Sequence, residues 1–262
     1  MRFRLACLAV CALALVPAVS SAVAAKPPKG QRPFPWHKRV REATNFLAGR
    51  TGTASFAVID ERGRVRGYQR GVQYSSASLV KAMLLVAYLR RKEVRRRALR
   101  PAERHLLEPM IRVSDNDAAS AIYEIVGPDG LTRLAHRAGM RRFAANPVWG
   151  GCQVTARDQA LLFLRLRRLL PDRHRKYGLG LFRSIDPSQR WGIPPASPKG
   201  WGIYFKGGWF PDDDGWRVHQ AALLRKGDRR IAIAVLTRGS PSLEYGAATI
   251  TGVTSRLLRG YR

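Results

Sequence analysis

The sequence predicts an α/β chain of the α+β type: an antiparallel sheet flanked by helices, with an all-helical lobe inserted into it. Three observations carry this. Strand-type runs sit at both ends of the globular part, helix-type runs fill the middle, and the last two strands are joined by the hairpin signal Lys226-Gly227-Asp228. A sheet whose first and last strands meet around a helical insertion accounts for all three.

Residues 1–25 stand apart from that fold. Arg2 and Arg4 precede the apolar run from Leu5 to Val19, and the small residues Ser20-Ser21-Ala22-Val23-Ala24-Ala25 follow. This is the order of a secretory signal peptide, with cleavage after Ala24 or Ala25 and a secreted, extracytoplasmic product. The apolar run is shorter than the roughly 20 residues a spanning helix needs, and an uncleaved membrane anchor is the alternative. Cys7 and Cys11 leave with the signal, so Cys152 has no partner in the mature chain. Residues 26–38 hold four prolines and no periodic pattern, and read as a flexible basic leader. The globular domain is expected over residues 39–262, with no second linker and no internal repeat.

Within it, Arg41–Leu47 continues a first helix. Ala54–Asp60 reads as a strand, Glu61-Arg62-Gly63 as its turn and Arg64–Gln69 as the returning strand. Ser78–Lys92 is helical, with Leu79, Met83, Leu84, Ala87 and Tyr88 at core spacing. Pro101–Val113, Asp117–Val126 and Gly130–Ala138 follow as helices, the last stopped by Gly139. Thr155 with Asp158 has the form of a helix start, ahead of Gln159–Leu170. Gly202–Phe205, Arg217–Leu224 and Arg230–Thr237 are strands, and Tyr245–Leu258 closes the chain as a helix.

The charge is far from balanced. Lys and Arg number 47 against 18 Asp and Glu, a formal +29 that attracts polyanions. Basic clusters lie at Arg90–Arg100 and at Arg165, Arg167, Arg168, Arg173 and Arg175. The secretory signal and the lack of a recognised binding module argue against nucleic acid, which leaves anionic cell-wall polymers or anionic lipid headgroups as polyanionic partners, with solvated Arg-rich helix faces as the other reading. The five histidines are scattered without metal spacing, and Asp212-Asp213-Asp214-Gly215 lacks the alternation of a calcium loop. No metal and no cofactor are expected. Neither a Gly-x-Ser-x-Gly elbow nor a phosphate-cradling Gly-x-x-x-x-Gly-Lys loop is present.

Three short segments carry candidate chemistry. In Ser78-Leu79-Val80-Lys81 a serine and a lysine three apart share one helix face. A buried lysine whose pKa is lowered can take the serine proton, and helix N-terminal N–H groups can hold an oxyanion. The other reading is a helix cap followed by a surface lysine. Ser114-Asp115-Asn116 lies between two helices. It is either a capped turn or a hydroxyl that relays a proton beside an amide that grips a carbonyl. Lys206-Gly207-Gly208 ends an aromatic strand, where two glycines allow another backbone or a ligand to come close.

Taken in order, these segments resemble the Ser-x-x-Lys, Ser-Asp-Asn and Lys-Thr-Gly motifs of class A β-lactamases and penicillin-binding proteins. The resemblance runs from about Arg39 to Arg262 and includes Gly130-Leu131-Thr132 with Gly139. It implies the β-lactamase/transpeptidase-like fold and a serine acyl-enzyme. Ser78 would be the nucleophile and Lys81 its base. Ser114 would pass the proton to the leaving nitrogen, and Asn116 would bind the substrate's amide side chain and help fix Lys81. Lys206 would supply positive potential, the N–H groups of Ser78 and Trp209 an oxyanion hole, and Arg217 a carboxylate contact. Arg217 also reads as a solvated strand-end arginine. His219 reads as wall rather than catalyst.

Three departures qualify the resemblance. No Asp or Glu occurs from Leu131 to Arg157, where the family's β-lactamases carry the glutamate that activates water. Asn146-Pro147-Val148-Trp149-Gly150-Gly151-Cys152 occupies that region, so rapid β-lactam turnover is not expected. Gly207 replaces the hydroxyl residue of the Lys motif. The span from Ser78 to Ser114 is short, which implies a more open cleft. The expectation is therefore a secreted monomeric serine hydrolase acylated by a β-lactam or related amide. The alternatives are a penicillin-binding DD-peptidase acting on cell-wall peptide, and a binding protein of the same fold that has lost turnover.

Overall fold

A computed structural model describes residues 33–261. The expected signal peptide and most of the expected leader lie outside the described residues. The first element is helix α1 (Trp36–Ala48), and it begins inside the segment expected to be leader. The cause is aromatic: Phe34 and Trp36 pack edge to face at 4.6 Å, and Tyr261 stands 4.8 Å from Phe34. A chain whose rings find partners at the other terminus does not stay free.

Strands β1 (Thr53–Ile59) and β2 (Val65–Tyr68) form the first hairpin. After the short strand β3 (Gln73–Ser75) comes a 3-10 turn, Ala77–Val80, that runs into α2 (Lys81–Leu89). The helical lobe continues with α3 (Pro101–Arg112) and α4 (Asn116–Ala138). The two helices expected over Asp117–Ala138 are joined in α4 across a break at Gly127, whose φ of 65° is non-helical. A second 3-10 turn, Trp149–Gly151, leads into β4 (Gln153–Thr155), which pairs with β3 in a small antiparallel sheet. Helices α5 (Ala156–Leu169), α6 (Arg175–Arg183) and α7 (Ile193–Ala196) complete the middle of the chain.

Strands β5 (Gly202–Asp212), β6 (Gly215–Lys226) and β7 (Arg229–Ser240) and helix α8 (Leu243–Leu258) close it. The five-stranded sheet has the order β2-β1-β7-β6-β5, so the first and last strands meet as expected. Residues Val218–Leu224 and Ile231–Leu236 are buried without alternation. That is the pattern of strands covered on both faces, here by α8 with α1 and by α5. β5 is longer than predicted. It stays paired with β6 from Gly202 to Asp212, so Lys206-Gly207-Gly208 lies within an edge strand rather than at a strand end. Glycines are tolerated there because the edge faces the Ala77–Val80 turn.

Candidate active site

The Ala77–Val80 turn is anchored by Leu79 and Val80, both fully buried, which leaves Ser78 half-buried between them and solvent. Ala77 holds a left-handed φ of 45°, an unfavourable conformation for a residue with a Cβ. It redirects the chain immediately before Ser78. Lys81 opens α2 one turn further on and is completely buried.

The second segment is the α3–α4 connection. Ser114 also has a left-handed φ, of 64°. Asp115 caps α4 through its carboxylate, which accepts from the Ala118 N–H at 2.7 Å. The segment is therefore a capped turn and a functional cluster at once. The Lys81 ammonium donates to the Ser114 carbonyl at 2.5 Å, to Asn116 Oδ1 at 2.7 Å and to Ser114 Oγ at 3.3 Å.

The third segment arrives on β5. Lys206 is completely buried, and its Nζ donates to Ser114 Oγ at 3.0 Å and to the Gly207 carbonyl at 2.8 Å. A Cβ on Gly208 would stand 2.5 Å from Leu79 N and 3.0 Å from Ser78 N. The edge of β5 thus touches the backbone of the serine turn, and only glycine permits that approach. Trp209 follows at once, with its ring 6.0 Å from Lys206 Nζ.

The electrostatics follow from burial. Removal from water lowers the Lys81 pKa to about 8, against a small opposing pull from Asp115. Burial, and then the neighbouring Lys81, push Lys206 well below the ordinary lysine range. Ser114 Oγ accepts from both amines. A hydroxyl has two acceptor sites and one donor, so its own proton is left to point elsewhere.

The structure therefore joins Lys81, Ser114, Asn116 and Lys206 by hydrogen bonds, sets β5 against the backbone of the Ser78 turn, and places Trp209 beside Lys206. Arg217 does not join them. It lies opposite Phe210 in the β5–β6 register, is ion-paired with Asp212 and stacks over the Phe210 ring at 5.2 Å. The residue opposite Gly207 is Gln220, whose amide is used by the Ile193 N–H and the Trp191 carbonyl. His219 is buried and held near pKa 4, chiefly by desolvation. Its Nδ1 accepts from Thr237 N at 3.2 Å, which leaves the Nε2 proton to the Ser75 carbonyl at 3.0 Å. A neutral ring with both nitrogens engaged is a wall behind the serine turn, as the sequence suggested.

Asp158 does not serve the site either. Its side chain is almost fully buried, accepts from the Arg141 and Arg142 N–H groups at 3.0 and 2.8 Å and pairs with Arg157. The cap at that helix start is Thr155, which accepts from Asp158 N. Two tryptophans escaped the sequence reading. Trp149 lies with its ring centroid 4.8 Å from Lys81 Nζ. Trp191 packs edge-on against Trp209 at 5.9 Å, and its ring would stand 3.3 Å from a Cβ on Gly207. The only signal for Trp149 was its place in the acid-free segment. Nothing local marks Trp191.

Comparison with known proteins bears on the fold and the family. No curated protein matches the chain. Among solved structures, a β-lactamase from Sphaerobacter thermophilus DSM 20745 superposes with a TM-score of 0.71 at 20% identity, covering 86% of this chain and 97% of that one. A class A β-lactamase from Mycobacterium abscessus gives 0.71 at 18%, with 85% and 99% covered. The structure of PBP-A gives 0.74 at 19%, with 88% and 97% covered. At such identities the likeness concerns the fold. The family itself comes from a sequence model, that of the β-lactamase enzyme family, which matches residues 98–261. The match begins after the Ser78 turn, takes in the Ser114 and Lys206 segments and spans more than half of the sequence, and by it the chain belongs to the β-lactamase enzyme family.

Proposed function

We propose that the protein is an extracytoplasmic serine hydrolase that forms an acyl-enzyme at Ser78 with a β-lactam or a related cell-wall amide, and releases it slowly. The observation that carries this reading is the convergence of two buried amines, Lys81 and Lys206, on the single hydroxyl of Ser114.

In the forward step, the neutral Lys81 amine takes the Ser78 hydroxyl proton as Oγ attacks the substrate's carbonyl carbon. The carbonyl oxygen becomes an oxyanion that accepts from the Ser78 and Trp209 N–H groups, which the contact at Gly208 brings to one side of the cleft. As the C–N bond breaks, the leaving nitrogen takes the Ser114 proton, and the Lys81 ammonium restores it. Asn116 holds Lys81 and presents its amide, on an exposed residue, to the substrate. Lys206 donates to Ser114 Oγ and holds that hydroxyl in place for the proton transfer. Hydrolysis of the ester needs a base for water, and the acid-free segment supplies none.

A cell-wall peptide as natural substrate is the second reading, favoured by the missing acid and by Gly207 in place of a hydroxyl residue. The test is intact mass spectrometry after exposure to a penicillin. The expected result is a single adduct of the whole penicillin mass that persists for many minutes and is absent in Ser78→Ala. An unmodified wild-type protein, or an adduct retained in Ser78→Ala, would sink the assignment. Multiple turnover of a chromogenic cephalosporin would refute slow release.

A further inference from the structure

The Trp149–Gly151 turn is tied to the serine turn. Ser76 N donates to the Cys152 carbonyl at 2.8 Å, and Ser76 Oγ lies 3.4 and 3.3 Å from the Trp149 and Gly150 carbonyls. A Cβ on Gly150 would meet the Ala77 Cα at 3.9 Å. From this base the Trp149 indole reaches over Lys81, with the ring centroid 4.8 Å from Nζ. Its Nε1 donates to Ser120 Oγ on α4 at 3.2 Å. The ring is therefore fixed by its backbone on one side and by a hydrogen bond on the other.

Lys81 is enclosed as a result. Ser114 and Asn116 supply oxygens to the amine, and the indole face covers it. Release of an acyl group from Ser78 requires a water oxygen to attack the ester carbon. The C–Oγ bond then breaks, Oγ regains a proton, and a base takes the proton of the water. An indole donates through Nε1 and accepts nothing, so it cannot be that base. Its apolar face also offers no partner to hold a water beside Lys81.

We propose that Trp149 is a positioning residue that prolongs the acyl-enzyme: it covers the Lys81 amine and keeps hydrolytic water from it. This rests on the acyl-enzyme reading above and names the residue that sets the adduct's lifetime. The indole is the part of the Trp149–Gly151 turn that lies against the base, so its removal opens the amine to water. A carboxylate at the same position supplies the missing base.

The test separates formation of the adduct from its decay. The full chain is acylated with a fluorescent penicillin, excess is removed, and the adduct is followed by intact mass. This is done for wild type, Trp149→Phe, Trp149→Ala, Trp149→Glu and Ser120→Ala, with thermal melts to verify folding. Adduct formation is expected to slow in Trp149→Ala and Trp149→Glu, because water or a carboxylate beside Lys81 raises its pKa, so decay is read only on adduct already formed and is normalised to its starting amount. The half-life is expected within threefold for Trp149→Phe, which keeps an aromatic cover, and two- to fivefold shorter for Ser120→Ala, which frees the ring. It should fall at least tenfold in Trp149→Ala and further in Trp149→Glu. Equal half-lives in wild type and Ser120→Ala, or in wild type and either the alanine or the glutamate variant, overturn the role of Trp149 and leave the acyl-enzyme standing. A wild-type protein that forms no adduct overturns both.

Discussion

Replacing Gly208 by alanine isolates the contact between β5 and the serine turn. Gly208 has a φ that any residue adopts, so the perturbation is steric rather than conformational. The added Cβ would stand 2.5 Å from Leu79 N, 3.0 Å from Ser78 N and 3.1 Å from the Ser76 carbonyl oxygen. All three are backbone atoms, and the turn is pinned by the buried side chains of Leu79 and Val80. No flexible side chain can give way. Ordinary contact begins near 3.4 Å, so strand and turn must part by about 0.9 Å. A displacement of that size at reacting groups costs on the order of 100-fold in rate. Overpacking costs about 1–3 kcal/mol, equivalent to several degrees in Tm for a domain of this size. The assay is the second-order rate of penicillin adduct formation, with a thermal melt in parallel. Gly180→Ala on the exposed side of α6, where nothing lies within 4 Å, serves as control and should be neutral or stabilising by about 0.5–1 kcal/mol. If Gly208→Ala acylates within threefold of wild type at an unchanged Tm, the contact does not position the oxyanion site and the reasoning fails.

Acylation should follow the neutral form of Lys81, whose pKa burial lowers to about 8. Below that value the rate should rise about tenfold per pH unit and then level off, and a flat profile between pH 6 and 9 would remove Lys81 as the base. Lys206→Met should abolish at least about 100-fold of the acylation rate. The same change should stabilise the fold by about 1–2 kcal/mol, because it removes a buried amine that has no carboxylate partner; a lower Tm, read by thermal melt, would contradict this.

Much of this fold was legible because its elements carry local signals. The β6–β7 turn was marked by Gly227, which adopts the φ of 58° that such a turn requires. The break in α4 fell between the two predicted helices because Gly127 and Pro128 interrupt the pattern. What was missed depends on partners distant in sequence. The start of α1 at Trp36 is set by Tyr261 at the far end of the chain. The extension of β5 through Lys206-Gly207-Gly208 is set by pairing with β6. At the site, Ser78, Lys81, Ser114, Asn116 and Lys206 could be named because their chemistry appears in short ordered motifs. Trp149 and Trp191 contribute only shape, and shape appears once the chain has folded. Arg217 shows the reverse error. Its residue type suited a carboxylate contact, yet the acidic turn beside it supplies the carboxylate from Asp212.

The strongest argument for a reactive site concerns the cost of building it. Lys81 and Lys206 are both fully removed from solvent, and their hydrogen-bond partners are carbonyl, amide and hydroxyl oxygens rather than carboxylates. Burying an amine in this way opposes folding by several kcal/mol unless it gives up its proton. Apolar side chains of similar volume would fill the same space at lower cost. The left-handed conformations of Ala77 and Ser114 add strain at the same place. A protein that only held a ligand would need donors at the rim of the cleft, and exposed lysines would serve. Burial gives something different: an amine that is a base near neutral pH, placed one turn from a serine hydroxyl and linked through Ser114 to a second amine. That arrangement has a use when a proton must leave one oxygen and reach a departing nitrogen, which is the requirement of acyl transfer.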